Sequence, residues 1–419
     1  MEKLNVILIT MDAVRPDHLS CYGYDRIKTE GIDFIAEEGV LFENCIASSC
    51  LTPVSHASIL TGKDPPTHGI RDPFCQISKR TLAEIFKMNG YNNAGFVGID
   101  FIGTKHGFNK GFGYFEEPKE KDAWNVKEYN QKGETMNTRW GHWWVEKMLN
   151  WLKENASSPF FIWGHYFEAH FLAEKNLLYS NKIDHGELSE HAYYDAKIKY
   201  MDNNLFLPMI KTLKKFNLWE KTVIVVTSDH GEILGPLKPS WGDFYFNYPQ
   251  HKTMYDSDLK VPLIIKTSSE IKCKRIKQST RAIDIVPTLV ELLNIETDDT
   301  YDGTSLIPLI KEQPMEEQPA YSEELYKERG EGALQSYRTS KFKLIRNNTN
   351  NKEEFFDLLK DPDENNNIIY SENPEHKSII REFRGKLDKC LNGFRVQADL
   401  DEEDENKVME RLKSLGYIG

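Results

Sequence analysis

Five short apolar runs punctuate the chain, at residues 5–10, 93–97, 160–163, 222–227 and 261–266. Each is rich in Val, Ile or Phe and lacks the polar alternation of a half-exposed strand, so each predicts a strand buried on both faces. Helical spacing falls between them. Residues 80–88 repeat apolar positions at helical intervals and stop at Gly90, and residues 285–293 do the same after Asp284. Strand and helix in alternation predict an α/β domain built on a largely parallel sheet. The texture changes near residue 319. Residues 321–331 are charged, and residues 337–346 followed by 354–358 read as short antiparallel strands around an Asn-rich turn. The expected organisation is a large domain, 1–318, followed by a small C-terminal α+β subdomain, 319–419. The acidic stretch at 399–407 reads as a solvated helix face or linker.

A chain of 419 residues suffices for one large core and a smaller satellite. The formal charge of -12 argues against a nucleic-acid partner, whose phosphates would need a broad basic surface. A small anionic substrate remains compatible with it, because a local cluster of cations can oppose the global sign. The apolar stretch after Met1-Glu2-Lys3-Leu4 is too short for a secretory signal, and no run approaches the roughly 18 residues of a membrane span. A cytoplasmic protein without a membrane span is therefore expected. The six cysteines, at 21, 45, 50, 75, 273 and 390, form no C-x-x-C pair, which favours reduced and mostly buried thiols. The sequence leaves a homo-oligomer open.

In a parallel sheet, ligands gather beyond the carboxyl ends of the strands. The first run ends in Thr10-Met11-Asp12, the run at 222–227 ends in Ser228-Asp229-His230-Gly231-Glu232, and the run at 160–163 leads into His165 and His170. Two carboxylates and an imidazole converging from separate strands suit a divalent cation that prefers oxygen and tolerates nitrogen. Any one of these Asp residues taken alone is as well explained as a turn or cap. A second feature is Leu51-Thr52-Pro53-Val54-Ser55-His56-Ala57-Ser58-Ile59-Leu60-Thr61-Gly62. Thr52 is suited to cap a helix and Pro53 to open it, so Thr52 is expected at a helix N-terminus, where the backbone favours an anion. Coordination to a cation would favour the alkoxide of a threonine hydroxyl and make it a nucleophile. An ordinary helix cap is the plainer reading of the segment by itself.

The segment resembles the signature of the sulfatase family, in which the nucleophile opens a helix and a Leu-x-Thr-Gly closes it; Gly62 lies ten residues after Thr52. The stretch from Met11 through Asp12, Arg15 and Asp17 to Gly23 resembles the family's opening metal loop. Asp229-His230-Gly231-Glu232 resembles its later metal pair. Further matches follow in family order, among them Gly90-Tyr91, His251-Lys252-Thr253, Asp284-Ile285-Val286-Pro287-Thr288 and Asp302-Gly303-Thr304, so the likeness runs nearly the whole chain.

The resemblance implies an alkaline-phosphatase-like fold, with a large mixed, mostly parallel sheet flanked by helices. It implies a metal-dependent hydrolase of sulfuric or phosphoric esters acting on a small anionic ester. By the same likeness, Asp12, Asp229 and His230 would hold the metal with Thr52, and Thr52 would attack. His56 would orient Thr52 or share its proton. His251, Lys252 and His170 would touch the ester oxygens or protonate the leaving group, with His251 or His170 as the proton donor; Arg15 is a further candidate for the anion and could equally pair with Asp17 or another carboxylate.

The pattern also departs from the family. Sulfatases place Cys or Ser at the position of Thr52 and convert it to formylglycine; threonine does not undergo that conversion, so no formylglycine is expected. A direct threonine nucleophile shifts the expectation toward phosphodiester or phosphonate ester cleavage. Ala13 and His230 stand where carboxylate and amide are usual. From the set Mn, Zn, Mg and Ca, the imidazole weights the cation toward Mn or Zn. The alternatives are a phospho-headgroup transferase and a catalytically silent anion- or protein-binding member. Two aromatic-rich loops, 122–144 and 234–249, are the candidates for substrate choice.

Overall fold

A computed structural model describes residues 3–118, 142–167, 169, 190–234, 252–267, 273–326, 333–392, 405–406 and 408–410. Eight strands form the larger sheet: β1 (Asn5–Met11), β2 (Val40–Ile46), β3 (Asn92–Val97), β4 (Tyr114–Glu116), β5 (Phe160–Tyr166), β6 (Thr222–Ser228), β7 (Lys260–Lys266) and β8 (Lys274–Arg281). Their order is β4-β3-β5-β1-β6-β7-β2-β8. Strands β4, β3, β5, β1 and β6 run parallel, and β7 is antiparallel to both β6 and β2, so the sheet is mixed and mostly parallel.

The helices are α1 (Glu30–Glu37), α2 (Thr52–Thr61), α3 (Leu82–Met88), α4 (His142–Asn155), α5 (Glu190–Met201), α6 (Leu207–Lys215), α7 (Ile285–Leu292) and α8 (Pro374–Leu391), besides short turns. Alternate residues of each central strand serve opposite faces, as the strand period of two requires. Val6, Leu8, Phe161, Trp163, Val223 and Val225 pack under α2, α3 and α7. Ile7, Ile9, Phe160, Ile162, Ile224 and Val226 pack under α1, α4, α5 and α6. Burial on both faces explains why these strands are apolar without alternation. Helices α5 and α6 join through a π-helical turn, Asp202–Phe206. Pro208, which has no backbone N–H to donate, stands just beyond it.

The smaller sheet is antiparallel, in the order β12-β11-β10-β9, from β9 (Ala320–Glu324), β10 (Leu334–Arg338), β11 (Phe342–Asn347) and β12 (Lys352–Asp357). One face takes Ile380, Phe383 and Leu387 of α8 against Tyr321, Phe342, Leu344 and Phe355. The other takes Ile46, Cys50, Met254, Tyr255 and Leu259 of the larger unit against Ala320, Leu334, Ile345 and Phe356. Two buried ionic knots reinforce that junction. Arg71 Nε and Nη2 donate to Glu323 Oε1 and Oε2 at 2.7 and 2.5 Å, and Lys343 Nζ lies 2.8 Å from Asp256 and 2.7 Å from Glu364. All six cysteines are free thiols. Among the described residues, no helix is long and apolar enough to cross a membrane.

Candidate active site

Strands β5, β1 and β6 are neighbours, and their registers place Thr10 opposite both His165 and Thr227. The residues that follow therefore meet at one end of the sheet. Asp12 leaves β1 with its N–H on Tyr166 O at 2.8 Å. The next residue, Ala13, turns into the left-handed region at φ 56°. That conformation costs an L-residue about 1 kcal/mol, and here it directs the Ala13 N–H to Asp229 Oδ1 at 3.2 Å. Asp229 Oδ1 also accepts from His230 N at 2.8 Å. Gly231 has no alternative at its position, since a Cβ there would lie 2.0 Å from Ser257 O.

The His230 ring is fixed by its own backbone. Nδ1 donates to Gly231 O at 2.8 Å, which leaves Nε2 as the lone-pair nitrogen of the neutral ring. It points at Thr52 Oγ1 (3.4 Å), Asp229 Oδ2 (3.5 Å) and Asp12 Oδ1 (3.7 Å). Thr52 is the first residue of α2, after an extended Leu51, with Pro53 next. Threonine was expected to cap this helix; no side-chain cap closes the N-terminus, and the hydroxyl instead faces His230. Ser55 Oγ, one turn on, donates to Asp229 O at 2.6 Å and ties the helix to the end of β6.

His56 meets Thr52 through the backbone. Its Nδ1 donates to Thr52 O at 2.8 Å, and its Nε2 accepts from Thr10 Oγ1 at 3.0 Å, while Trp163 Nε1 donates to the same hydroxyl at 3.1 Å. Burial holds the His56 imidazole well below its usual pKa, and neighbouring His165 adds to that, so the ring is neutral.

Asp12, Asp229 and His230 offer ligand atoms that all lie within 4.8 Å of one another. Both oxygens of Asp12 and Oδ2 of Asp229 are buried without a hydrogen-bond partner. Burial pushes both carboxyls well above the usual range, and for Asp229 the charge of Asp12 adds to the push. Converging carboxylate oxygens that no hydrogen bond satisfies are costly to bury. The chemistry of this donor set fits a divalent cation, which would satisfy all of them together.

The other expected residues divide. Arg15 donates to Asp17 through Nε at 2.9 Å and Nη2 at 2.6 Å, and through Nη1 to Glu232 O at 3.0 Å, which is the pairing alternative left open by the sequence. Lys252 precedes Thr253, whose N–H and Oγ1 donate to Asp258 Oδ2 at 2.8 and 2.7 Å. His170 and His251 lie outside the described residues, as do residues 122–141 and 235–249 of the two aromatic loops. His165 adds itself to the site: its Nε2 is 3.2 Å from Asp12 Oδ2. Its place at the end of the apolar run was the available signal, but the strand extends to Tyr166 and carries it inward.

Sheet topology and the gathering of these groups at the strand ends belong to an alkaline-phosphatase-like hydrolase of ester bonds. Residues 4–295 match the sulfatase family model, and the chain belongs to that family. Residues 245–392 match the model described as N-sulphoglucosamine sulphohydrolase, C-terminal. An Ulvan-active sulfatase of Formosa agariphila is 26% identical over 453 residues, covering 99% of this chain and 85% of its own. An arylsulfatase of Clostridium perfringens is 25% identical over 480 residues, with 93% and 95% covered. Among solved structures, the phosphonate monoester hydrolase of Agrobacterium radiobacter superposes with a TM-score of 0.73 at 20% identity, covering 93% of this chain and 95% of that one.

Proposed function

We propose that this hydrolase cleaves sulfuric esters, with the Thr52 hydroxyl as the attacking group. The observation that carries the reading is Thr52 Oγ1, buried at the N-terminus of α2 and 3.4 Å from His230 Nε2, which itself lies 3.5 Å from Asp229 Oδ2 and 3.7 Å from Asp12 Oδ1. The curated relatives that match nearly the full chain are sulfatases, which favours sulfate over other oxyanions. Asp12, Asp229 and His230 would hold a divalent cation. When bound, it supplies Lewis-acid activation of the hydroxyl and charge neutralisation at the ester oxygens.

The chain's own groups do the rest. Thr52 Oγ1 gives up its proton to solvent and forms a bond to sulfur as the bond to the leaving alcohol breaks. The leaving oxygen takes a proton, for which His251 is the proposed donor; His170, Lys252 and Arg15 are the proposed contacts of the remaining oxygens. Water then cleaves the sulfo-threonine, releasing sulfate and restoring the hydroxyl. His56 holds the Thr52 carbonyl and so fixes where the nucleophile stands.

A second reading is cleavage of phosphonate monoesters or phosphodiesters. It is favoured by Thr52 itself, because a side chain that stays a hydroxyl must attack directly, and phosphorus esters suit direct attack. The test is turnover of aryl sulfate, aryl phosphonate and bis-aryl phosphate by the Mn²⁺-supplied protein and by Thr52→Ala. Loss of about 10³-fold or more in kcat for the preferred ester supports the nucleophile. Unchanged turnover in Thr52→Ala removes it, and preference for a phosphorus ester replaces the first reading with the second.

A further inference from the structure

Asp12 leaves β1 into a turn that is held by side chains from elsewhere in the sequence. Ala13 N donates to Asp229 Oδ1 at 3.2 Å, and Val14 N to Ser228 Oγ at 2.9 Å. The third N–H in the row, that of Arg15, donates to the Tyr194 hydroxyl at 2.8 Å, and that hydroxyl donates in turn to Ala13 O at 2.5 Å. A phenol carries one proton and two lone pairs. One oxygen atom thus satisfies a donor and an acceptor on either side of Val14 and closes the turn in which Ala13 is left-handed, at φ 56°.

Tyr194 is buried on α5, with the His18 ring set edge-on against its own at 4.8 Å and 89°. The next residue of the helix, Asp195, lies 2.6 Å from His18 Nδ1 and accepts from Tyr24 Oη at 2.6 Å, so α5 grips the chain beyond the turn as well. Phenylalanine would bury the same ring, and packing alone does not account for the hydroxyl. Its bonds go to backbone, so it adds neither a ligand nor a charge to the site. What it fixes is the peptide that follows Asp12. Both carboxylate oxygens of Asp12 are without a hydrogen-bond partner, and the backbone on either side is therefore what aims them. Upstream, Asp12 N is tied to Tyr166 O at 2.8 Å; downstream stands the turn that Tyr194 clamps.

We propose that Tyr194 is a positioning residue of the site, which aims the Asp12 carboxylate at the cation by clamping Ala13 O and Arg15 N. This rests on the reading that Asp12, Asp229 and His230 bind a cation. The effect of Tyr194 belongs in cation affinity, and not in the KM of the ester once the cation is saturating.

The test is equilibrium dialysis of the chelator-stripped full chain against Mn²⁺, for the unaltered protein, Tyr194→Phe and Tyr321→Phe, with folding followed by circular dichroism. Tyr321 is the comparison because its hydroxyl is also buried and also bridges two groups, Glu323 Oε2 and Gln335 Nε2, in the smaller sheet. Tyr194→Phe should bind Mn²⁺ about 10–100-fold more weakly, as loss of a group that orients a ligand does. At saturating Mn²⁺ its ester KM should lie within about twofold of the unaltered value. Tyr321→Phe should keep the unaltered affinity. If Tyr194→Phe is unfolded, Ala13→Gly is compared with Ala13→Gly plus Tyr194→Phe, since glycine takes the left-handed turn without strain, and a fall in affinity is again expected. Unchanged affinity on loss of the Tyr194 hydroxyl overturns the proposal and leaves the cation reading standing. An equal fall in the Tyr194 and Tyr321 variants overturns it as a general loosening of the fold. No Mn²⁺ bound by the unaltered chain overturns the cation reading and the proposal together.

Discussion

Asp202 sits in the π-helical turn and accepts from Gly31 N at 3.1 Å and Ile32 N at 2.9 Å, closing the start of α1. Burial nevertheless raises its pKa to about 6. A folded-state value above the unfolded one means that the protonated form is favoured in the fold. The stabilisation is therefore complete below about pH 4 and is lost as pH rises through about 6. Asp202→Asn cannot ionise, so its stability relative to the unaltered chain should improve by about 2 kcal/mol between pH 4 and pH 8 in urea titrations. A difference that stays flat with pH would show that the carboxylate is not titrating there. Of the residues in the site, Asp12, Asp229, His230 and Thr52 were legible because each stands at a strand end or helix start, where chain direction alone places a side chain. His165 was noted at the end of its run but given no role, because its place beside Asp12 follows from the register of β5 against β1, and register is not written locally. For Arg15 the sequence offered two partners, and only the fold shows Asp17 at hydrogen-bond distance.

At the scale of elements, α3 shows how local signals decide a boundary. Thr81 Oγ1 accepts from Glu84 N at 3.3 Å while Glu84 Oε2 accepts from Thr81 N at 2.9 Å, and the helix begins at Leu82. Thr81→Ala should cost about 1 kcal/mol, read as a lower urea midpoint with an unchanged slope. The five apolar runs all became strands, because burial on both faces leaves an unbroken apolar signature. Strands β2 and β8 escaped notice for the opposite reason. Lys274–Arg281 is an edge strand rich in charge, and Val40–Ile46 carries Glu43 and Asn44 where its pairing slips. The stretch 337–346 holds parts of two strands, since the backbone reverses at Thr339, whose N–H donates to Phe342 O at 2.9 Å.

Across the whole molecule, the smaller sheet is a wall of the site's foundation. It packs on Met254, Tyr255 and Leu259, the residues just after Lys252, and its Arg338 and Lys343 grip Asp256 in the same segment. The Arg71–Glu323 pair is the most enclosed link between the two sheets, with both side chains almost wholly buried. Arg71→Met should destabilise by about 3–5 kcal/mol because it strands Glu323, and Arg71→Met with Glu323→Gln should recover much of that loss, read by calorimetry. Equal losses in the single and double variants would show that packing, not the stranded charge, sets the cost. The neighbours of β1 carry a further consequence. Its partners β5 and β6 lie some 150 to 220 residues downstream, so a growing polypeptide on the ribosome cannot assemble the proposed cation site until residue 230 has emerged. Pairings this remote form slowly, and an unfolded chain with its ligands scattered holds a cation weakly. Under the proposed function, the supply of free cation would then act on the yield of folded protein as well as on its turnover.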